Sequence, residues 1–256
     1  MKHTAKLKTL LLSMAIAGSS TIALMPVSAQ AGVSANIGVV SQYIFRGIQQ
    51  NGNSPAAQGG LDYAYDSGFY VGVWGSTVGA KGKENSDIEY DIYGGWSGEF
   101  SGVSLGAGVT LYNYGKDVTK DANAWDTSYQ ELNFSLGYGP FSVGYDIGKH
   151  AKMKPTASGG TTDEDYNILT LNVEYAGAYA TWGRGDGFIP RASYGDKAVE
   201  HTWIEVGYGT EIAAGTDVSI AYIHSSKEAS GYSSSSGQAK DNGQLVVGIT
   251  KSFDLM

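Results

Sequence analysis

The sequence predicts an all-β protein: an antiparallel transmembrane β-barrel of about 12 strands, with short periplasmic turns and long extracellular loops. Three observations support this fold class. Segments that alternate apolar and polar residues recur along the chain after residue 32. The connections between these segments alternate between short and long. The alternating segments are also bounded by aromatic residues at both ends, which is typical of barrels in the outer membrane.

The composition excludes several classes of protein. The chain has 256 residues, 37 of them Gly, and only 16% of its residues are charged. Its formal net charge of −8 argues against nucleic-acid binding, because contacts with phosphate need basic patches. It contains no Cys, so disulfides, thiolate metal sites and Cys nucleophiles are absent.

The N-terminus has the pattern of a secretory signal peptide. Lys2, Lys6 and Lys8 precede the apolar run 10–24, and small residues close it near Ala29. The competing interpretation is a membrane anchor, but the run contains Gly-Ser-Ser-Thr and no basic flank follows it. We therefore expect residues 1–29 to be a cleaved signal peptide, whose end could be residue 31, and residues 30–256 to be a single outer-membrane β-barrel domain. Cleavage removes three Lys and no acid, which changes the net charge from −8 to −11.

The predicted strands can be followed in chain order. The first alternates from Ala35 through Phe45, with Arg46 on its polar face. The second, third and fourth alternate aromatic and branched residues with Gln, Gly, Asp and Glu, and the fifth alternates Val and Leu with Gly and Thr. The sixth to eighth are the most regular, the ninth to eleventh are shorter, and the twelfth runs into Phe253. The twelve ranges are 35–46, 58–65, 69–74, 89–96, 103–111, 131–138, 141–147, 169–175, 178–182, 203–208, 218–222 and 245–253.

The links predict which ends of the strands share a side of the membrane. Five links are short and rich in Gly, Asp and Ser, which suits tight hairpins, and the alternate links are longer and polar. Both chain ends then lie on the short-turn side, so the long loops face the outside of the cell. The short links are 66–68, 97–102, 139–140, 176–177 and 209–215.

The aromatic residues and the acids distinguish a barrel from a soluble β-sandwich. Two aromatic groups bracket the apolar band, as girdles do in membrane barrels. A sandwich would bury large apolar residues on its second face, where this chain carries acids that would be costly in a dry core. The short-turn group is Tyr65, Phe69, Trp96, Tyr138, Phe141, Tyr175, Tyr208 and Phe253, and the long-loop group is Tyr43, Phe45, Tyr90, Trp182 and Tyr222.

The polar face provides the candidate functional residues, which we expect to line the lumen. Rings of acids favour cations in a channel. Arg46 is the exception among them, and it either pairs with a neighbouring acid such as Asp62 or contacts solute. The candidate lumen-lining residues are Arg46, Asp62, Glu89, Asp91, Glu131, Asp146, Glu174 and Glu205.

Four segments also resemble a known family. They read SQYIFRGIQQ at 41–50, PAAQGGLDY at 55–63, SGFYVGVWGS at 67–76 and DIYGGW at 91–96. These segments resemble the opening of the TorF family of outer-membrane porins (Gcw_chp type), closely over residues 34–112 and loosely afterwards. The resemblance implies a porin-like barrel and supplies neither a solute nor catalytic residues. One departure is that Phe253, where the terminal aromatic is expected, is followed by Asp254-Leu255-Met256.

Catalytic and metal-binding hypotheses have weaker support. His150 and His224 fall in or beside long loops, and His201 has inward parity. His224 and Ser225 are adjacent on a strand and should face opposite sides, so they do not form a nucleophile–base pair. The acidic run 163–165 is more typical of a solvated loop than of a cation site. The glycine-rich run 183–187 is a poor phosphate loop because no helix follows it.

The sequence therefore predicts a bacterial outer-membrane porin for passive diffusion of small cationic or neutral hydrophilic solutes. The alternatives are a non-conducting structural or interaction barrel and a barrel-type lipid hydrolase. We expect no enzyme activity, cofactor or metal, and we expect outer-membrane lipid and small solutes as partners. A 12-stranded lumen should be narrow, with either loop 148–165 or loop 225–242 folding in to constrict it.

Overall fold

The computed structural model describes residues 31–79, 87–114, 129–155, 161–189, 199–229 and 243–255. The predicted signal peptide, 1–29, lies outside the described residues. Within those ranges, no helix has the length and apolar character needed to cross a membrane.

Twelve antiparallel strands form a closed barrel, which confirms the predicted fold class. Two further short strands, β2 and β3, pair only with each other in a separate two-stranded sheet. The strands are β1 (Gly32–Val40), β2 (Ile44–Phe45), β3 (Ile48–Gln49), β4 (Ala56–Ala64), β5 (Phe69–Val78), β6 (Asp87–Phe100), β7 (Val103–Tyr114), β8 (Tyr129–Tyr138), β9 (Phe141–Pro155), β10 (Thr161–Tyr175), β11 (Ala178–Ile189), β12 (Val199–Ala213), β13 (Thr216–Ser225) and β14 (Gly243–Asp254).

The barrel is an up-and-down meander in which each wall strand pairs with the next. It closes where β1 pairs with β14, with Ala35 opposite Phe253 and Val39 opposite Ile249. Closure gives every wall strand two neighbours, so no edge of the sheet is left unpaired. Both ends of the wall, Gly32 and Asp254, lie at the short-turn end of the barrel.

The two faces of the wall differ in chemistry. On β8, the outward-facing Leu132 and Leu136 are each 50% exposed, whereas the inward-facing Glu131 is only 2% exposed. This alternation repeats around the barrel, with Val, Leu, Ile and aromatic side chains outside and acids, amides, Tyr and Gly inside. The outside is therefore an apolar band, whereas the interior holds the buried polar side chains together with an apolar cluster at one end.

The first wall strand is shorter than predicted. β1 ends at Val40, and residues 41–55, which we call the plug segment, leave the wall and fold into the barrel before β4 begins at Ala56. Consequently Tyr43 and Phe45 do not belong to an outer girdle: they are 2% and 4% exposed, inside the barrel. Arg46 was predicted to lie on the first strand, but it lies at the turn of the β2–β3 hairpin.

The predicted loop 148–165 is mostly strand. β9 continues to Pro155 and β10 begins at Thr161, so this connection is an extended hairpin. Lys149 lies opposite Asp165, and its Nζ is 3.7 Å from Asp165 Oδ1 and 3.8 Å from Asp163 Oδ2. Opposite charges that face each other suit two exposed paired strands as well as a loop. The charged composition of this segment therefore could not distinguish a strand from a loop.

Candidate functional site: the barrel lumen and its plug segment

The plug segment is a β-hairpin with a tight two-residue turn. Ile44 pairs with Gln49 and Phe45 with Ile48, and the turn between them consists of Arg46 (φ 52°) and Gly47 (φ 77°). Positive φ at both central residues is the type I′ geometry of two-residue hairpins. Gly47 is also required sterically, since a Cβ there would lie 2.7 Å from Trp203 Cβ.

Hydrogen bonds attach the root of the plug segment, Ser41 and Gln42, to β14, and a further one joins the two arms of the segment. Ser41 N donates to Val247 O at 2.8 Å, and Val247 N donates to Ser41 Oγ at 3.0 Å. Gln42 Nε2 donates to Leu245 O at 3.0 Å. Within the segment, Tyr43 N donates to Asn51 Oδ1 at 2.9 Å. The segment therefore starts from the seam that closes the barrel.

Apolar packing fills the end of the lumen that carries the long connections. Ile44 and Ile48 are 2% and 3% exposed, and burying such a side chain contributes about 1.5–3 kcal/mol. Phe45 contacts the rings of Tyr112 at 5.7 Å and Phe188 at 5.9 Å between centroids. The wall residues of this cluster are Val40, Ala56, Val78, Tyr112, Tyr129, Tyr166, Ile168, Phe188, Ile189, Val199, Trp203, Ile223 and Val246.

Arg46 makes a buried ion pair with the opposite wall. Its Nη2 donates to Glu131 Oε2 and to Asp146 Oδ2, both at 2.9 Å, while Nη1 donates to Glu131 Oε1. Its guanidinium carbon is 4.9 Å from the ring centroids of both Phe45 and Phe188. The predicted pairing of Arg46 with Asp62 is therefore wrong, because the hairpin carries Arg46 across the lumen, away from β4.

Glu131 and Asp146 are held in place by the wall itself. Glu131 accepts hydrogen bonds from Tyr166 Oη at 2.7 Å and from Tyr112 Oη at 3.1 Å. Asn133 Nδ2 donates to Glu131 Oε2 at 3.1 Å and to Asp146 Oδ1 at 3.0 Å. Because these donors lie on β7, β8 and β10, the two carboxylates keep their orientation independently of the hairpin.

The remaining predicted residues of the lumen also point inward. Asp62 accepts from Tyr93 Oη, and Glu205 accepts from Tyr179 Oη at 2.6 Å. Glu89 accepts from Tyr114 Oη at 2.9 Å. Asp91 is 7% exposed, and Glu174 is half-buried near the short-turn end. Parity also places Asp217 inside, at 5% exposure, a residue that sequence reasoning missed because it adjoins a predicted link.

The interior acids greatly outnumber the bases. The buried polar residues of the described chain include Asp62, Glu89, Asp91, Glu131, Asp146, Glu164, Glu205 and Asp217, but among Lys and Arg only Arg46. Toward the short turns the inward side chains are small or polar and half-buried, namely Ser34, Asn36, Ser104, Ser135, Ser142, Ser219 and Thr250. The lumen thus consists of a filled half at the long connections and a looser polar half at the short turns.

Neither predicted loop is the main constriction in the described part of the chain. Residues 43–49 of the plug segment fill the long-connection half of the lumen, and the hairpin formed by β9 and β10 stays in the wall. Of the other candidate loop, 225–242, Ala229 is fully buried in the same cluster and residues 230–242 lie outside the described residues. The plug segment was missed because its apolar alternation is indistinguishable from that of a wall strand.

Of the three histidines, His150 takes a position different from the predicted one, whereas His201 faces inward and His224 lies near a strand end, as predicted. His150 lies on β9 and not in a loop; it is 4% exposed, and its Nε2 is 3.1 Å from Phe188 O. His201 packs between Phe188 and Trp203, with ring centroids 5.9 and 5.5 Å away. His224 is exposed, whereas Ser225 faces inward and donates to Gly47 O at 2.6 Å. None of the three forms a nucleophile–base pair with a serine in the described chain.

The two other candidate motifs are wall segments. Residues 183–187 lie on β11, where Arg184 faces outward and pairs with Glu200. Asp163 and Asp165 are paired with Lys149, and Glu164 faces inward at 3% exposure. Across the residues that the structure describes, no group of three or more His, Cys, Asp or Glu side chains could hold a metal ion.

Comparison with known protein families shows which family this chain belongs to. Residues 26–253 match the family described as "Bacterial protein of unknown function (Gcw_chp)". Because the match spans most of the sequence, the chain belongs to the Gcw_chp family. No match is found among curated proteins.

Several solved structures are similar to this chain at low sequence identity. The KdgM porin has a TM-score of 0.50 at 9% identity, and the alignment covers 86% of this chain and 99% of that one. OccD3 (OpdP) of Pseudomonas aeruginosa has a TM-score of 0.43 at 12% identity, with 88% of this chain and 66% of that chain covered. OprD of Pseudomonas aeruginosa has a TM-score of 0.42 at 10% identity, with 88% and 67% covered. The chain thus spans about two thirds of the two larger barrels and the whole of KdgM.

Proposed function

We propose that the protein is an outer-membrane channel of the porin type, for passive diffusion of small hydrophilic solutes that are cationic or neutral. The observation that carries the proposal is the distribution of side chains: an exposed apolar band surrounds an interior that holds the buried acids, with one apolar cluster at the long-connection end. So many acids would be costly to bury in the apolar core of a soluble protein, whereas a polar interior is typical of outer-membrane barrels. The TorF resemblance and the fold shared with the KdgM porin support the same class.

We further propose that the protein resides in the bacterial outer membrane. The predicted signal peptide, residues 1–29, directs export of the chain. The exposed Leu, Val and Ile side chains then contact lipid. Aromatic residues at the short-turn end, among them Tyr138, Tyr175 and Phe141 at 69%, 79% and 63% exposure, form the inner interfacial girdle. Lys251 lies on the same outer face, with its Nζ 5.8 Å from the Phe253 ring, where its ammonium group reaches the interface.

The interior charge makes the open channel prefer cations, since inward acids in a confined, low-dielectric space attract them. Reversal potentials across a KCl gradient test this preference. It should weaken at high salt, where the Debye length falls from about 10 Å at 0.1 M to about 3 Å at 1 M. Glu205→Gln and Glu174→Gln should reduce it, whereas Asp163→Asn, on the exposed face of β10, should not. A chloride preference at low salt would contradict the assignment.

A non-conducting structural barrel is the second candidate, because the plug segment fills the long-connection half of the lumen. Replacing residues 43–51 by a short Gly-Ser linker separates the two functions. A channel should conduct more after this replacement, as the linker cannot occupy the space of Phe45, Ile44 and Ile48. A barrel that folds without the hairpin and still passes no ions in a planar bilayer would favour the structural role.

A further inference from the structure

We propose that Glu131, Asp146 and Phe188 form a guanidinium-binding site on the barrel wall, which Arg46 occupies from within the same chain. A solute that carries a guanidinium group displaces Arg46 from this site, and the plug segment then leaves the lumen. The proposal rests on the channel function proposed above and assigns it a ligand class and a means of opening.

The site matches a guanidinium group in both charge and shape. The guanidinium group is a planar fork of five donors, which pairs best with carboxylates in a bidentate arrangement. Glu131 accepts from both terminal nitrogens of Arg46, and Asp146 accepts a second bond from Nη2 at 2.9 Å. Phe188 supplies an aromatic face at 4.9 Å, a favourable position for a flat cation.

The site belongs to the wall and not to the hairpin. Tyr166, Tyr112 and Asn133 direct the Glu131 carboxylate, and Asn133 also fixes Asp146. All of these residues lie on barrel strands, whereas Arg46 and Phe45 lie on the hairpin. When the hairpin leaves, two oriented carboxylates and one aromatic face remain. An incoming guanidinium group would find the hydrogen-bond acceptors already arranged.

The hairpin can leave without breaking the barrel. β2 and β3 form their own sheet and share no ladder with a wall strand, so all twelve wall pairings persist after the hairpin moves. What opposes the movement is contact with the wall, both packing and hydrogen bonds such as that from Ser225 to Gly47 O, and the exposure of two buried carboxylates without a cation. A soluble cation that binds these carboxylates offsets the second of these costs. Only ligands that reproduce the contacts of Arg46 do so fully.

Thermal unfolding of purified variants in detergent tests the site. Arg46→Ala vacates it, so millimolar guanidinium chloride should raise the unfolding temperature of this variant in a saturable manner. Urea, which has nearly the same shape without the charge, and potassium chloride at the same ionic strength should not. Arg46→Ala combined with Glu131→Gln should show no rise, and the wild type should show a smaller rise than Arg46→Ala, because the ligand must first displace Arg46. Arg46→Gln replaces Arg46→Ala if the shorter side chain impairs folding.

Bilayer recordings test the opening step. Methylguanidinium added on the long-loop side should increase the open probability of the wild type several-fold over potassium at equal ionic strength. Arg46→Ala should be open without it and insensitive to it. Arg184→Ala is the matched control, because Arg184 also pairs with a carboxylate, that of Glu200, but on the exposed face. This variant should behave as the wild type does.

The two measurements separate the possible failures. If guanidinium stabilises Arg46→Ala no more than urea or potassium does, the binding site is refuted even though the channel conducts. If guanidinium binds but wild type and Arg46→Ala conduct equally with and without methylguanidinium, the opening step is refuted. A lack of current from every variant contradicts the channel function instead, and the stabilisation by guanidinium then still decides the binding site.

Discussion

At the scale of single residues, neighbours in one strand face opposite environments. Phe134 is 45% exposed on the outside of β8, whereas Ser135 points into the short-turn half of the lumen and is half-buried. Both lie near the middle of β8, which runs from Tyr129 to Tyr138. The pair thus occupies the same depth and differs in the side of the wall it faces.

This difference predicts opposite responses to an added charge. Phe134→Arg should destabilise the folded barrel by about 2–4 kcal/mol, the cost of Arg on the lipid face near the midplane. The measurement is reversible denaturant unfolding in lipid vesicles. Ser135→Arg is the control and should cost far less, because water and inward acids are available to its side chain. Equal costs at both positions would contradict the assignment of the faces.

Parity explains how much of the site the sequence could predict. A period of two assigns Glu131 and Asp146 to one face without any knowledge of the tertiary structure. It could not identify Arg46 as their partner, because Tyr43, Phe45 and Arg46 continue the alternation of β1. The signal that could have revealed the hairpin is the Arg46-Gly47 pair, a turn sequence within an apolar run. Phe188 was unpredictable for another reason, since a register shift after Asp186 changes the face of the chain.

At the scale of strands, inward glycines make room for aromatic rings on the neighbouring strand. Tyr179 on β11 lies directly opposite Gly207 on β12, and its ring covers that glycine. Tyr166 on β10 covers Gly148 on β9 in the same way. The rings thereby lie along the wall, and their hydroxyl groups reach Glu205 and Glu131. Glycine on these strands is therefore part of how the acids are oriented.

A side chain at position 207 should therefore displace the Tyr179 ring. Gly207→Val is expected to destabilise the barrel by about 1–3 kcal/mol, the usual cost of overpacking. Adding Tyr179→Ala should recover part of this loss, since the ring is what the new side chain meets. A double-mutant cycle on unfolding free energies measures the recovery. Strictly additive effects would show that the ring does not lie over Gly207.

At the scale of the whole molecule, the described chain is a closed wall with apolar residues outside. Exposed large apolar residues occur on eleven of the twelve wall strands, from Ile37 on β1 to Phe253 on β14. On β11, Trp182 is half-buried. Every backbone group in the wall can pair with a neighbouring strand, as a membrane-spanning barrel requires. The sequence predicted this architecture well, because alternation and link lengths are local signals.

The whole barrel should accordingly remain folded in dodecyl sulfate detergent until it is heated. We expect unheated samples to migrate differently from boiled ones on gels, and the protein to fractionate with the outer membrane. The closed hydrogen-bonded wall opposes unfolding even where detergent covers the apolar band. Recovery of the protein in the soluble periplasmic fraction without detergent would refute the barrel's location in the membrane.

The contact between β1 and β14 has a consequence for the order of assembly. The root of the plug segment is tied to Leu245 and Val247, which belong to the last strand that the chain supplies. Until that strand arrives, the root of the hairpin lacks these hydrogen bonds, although its sequence precedes most of the wall. Completion of the wall and fixation of the hairpin's root are therefore one event. We therefore expect the plug segment to be held inside the barrel from the moment the wall closes.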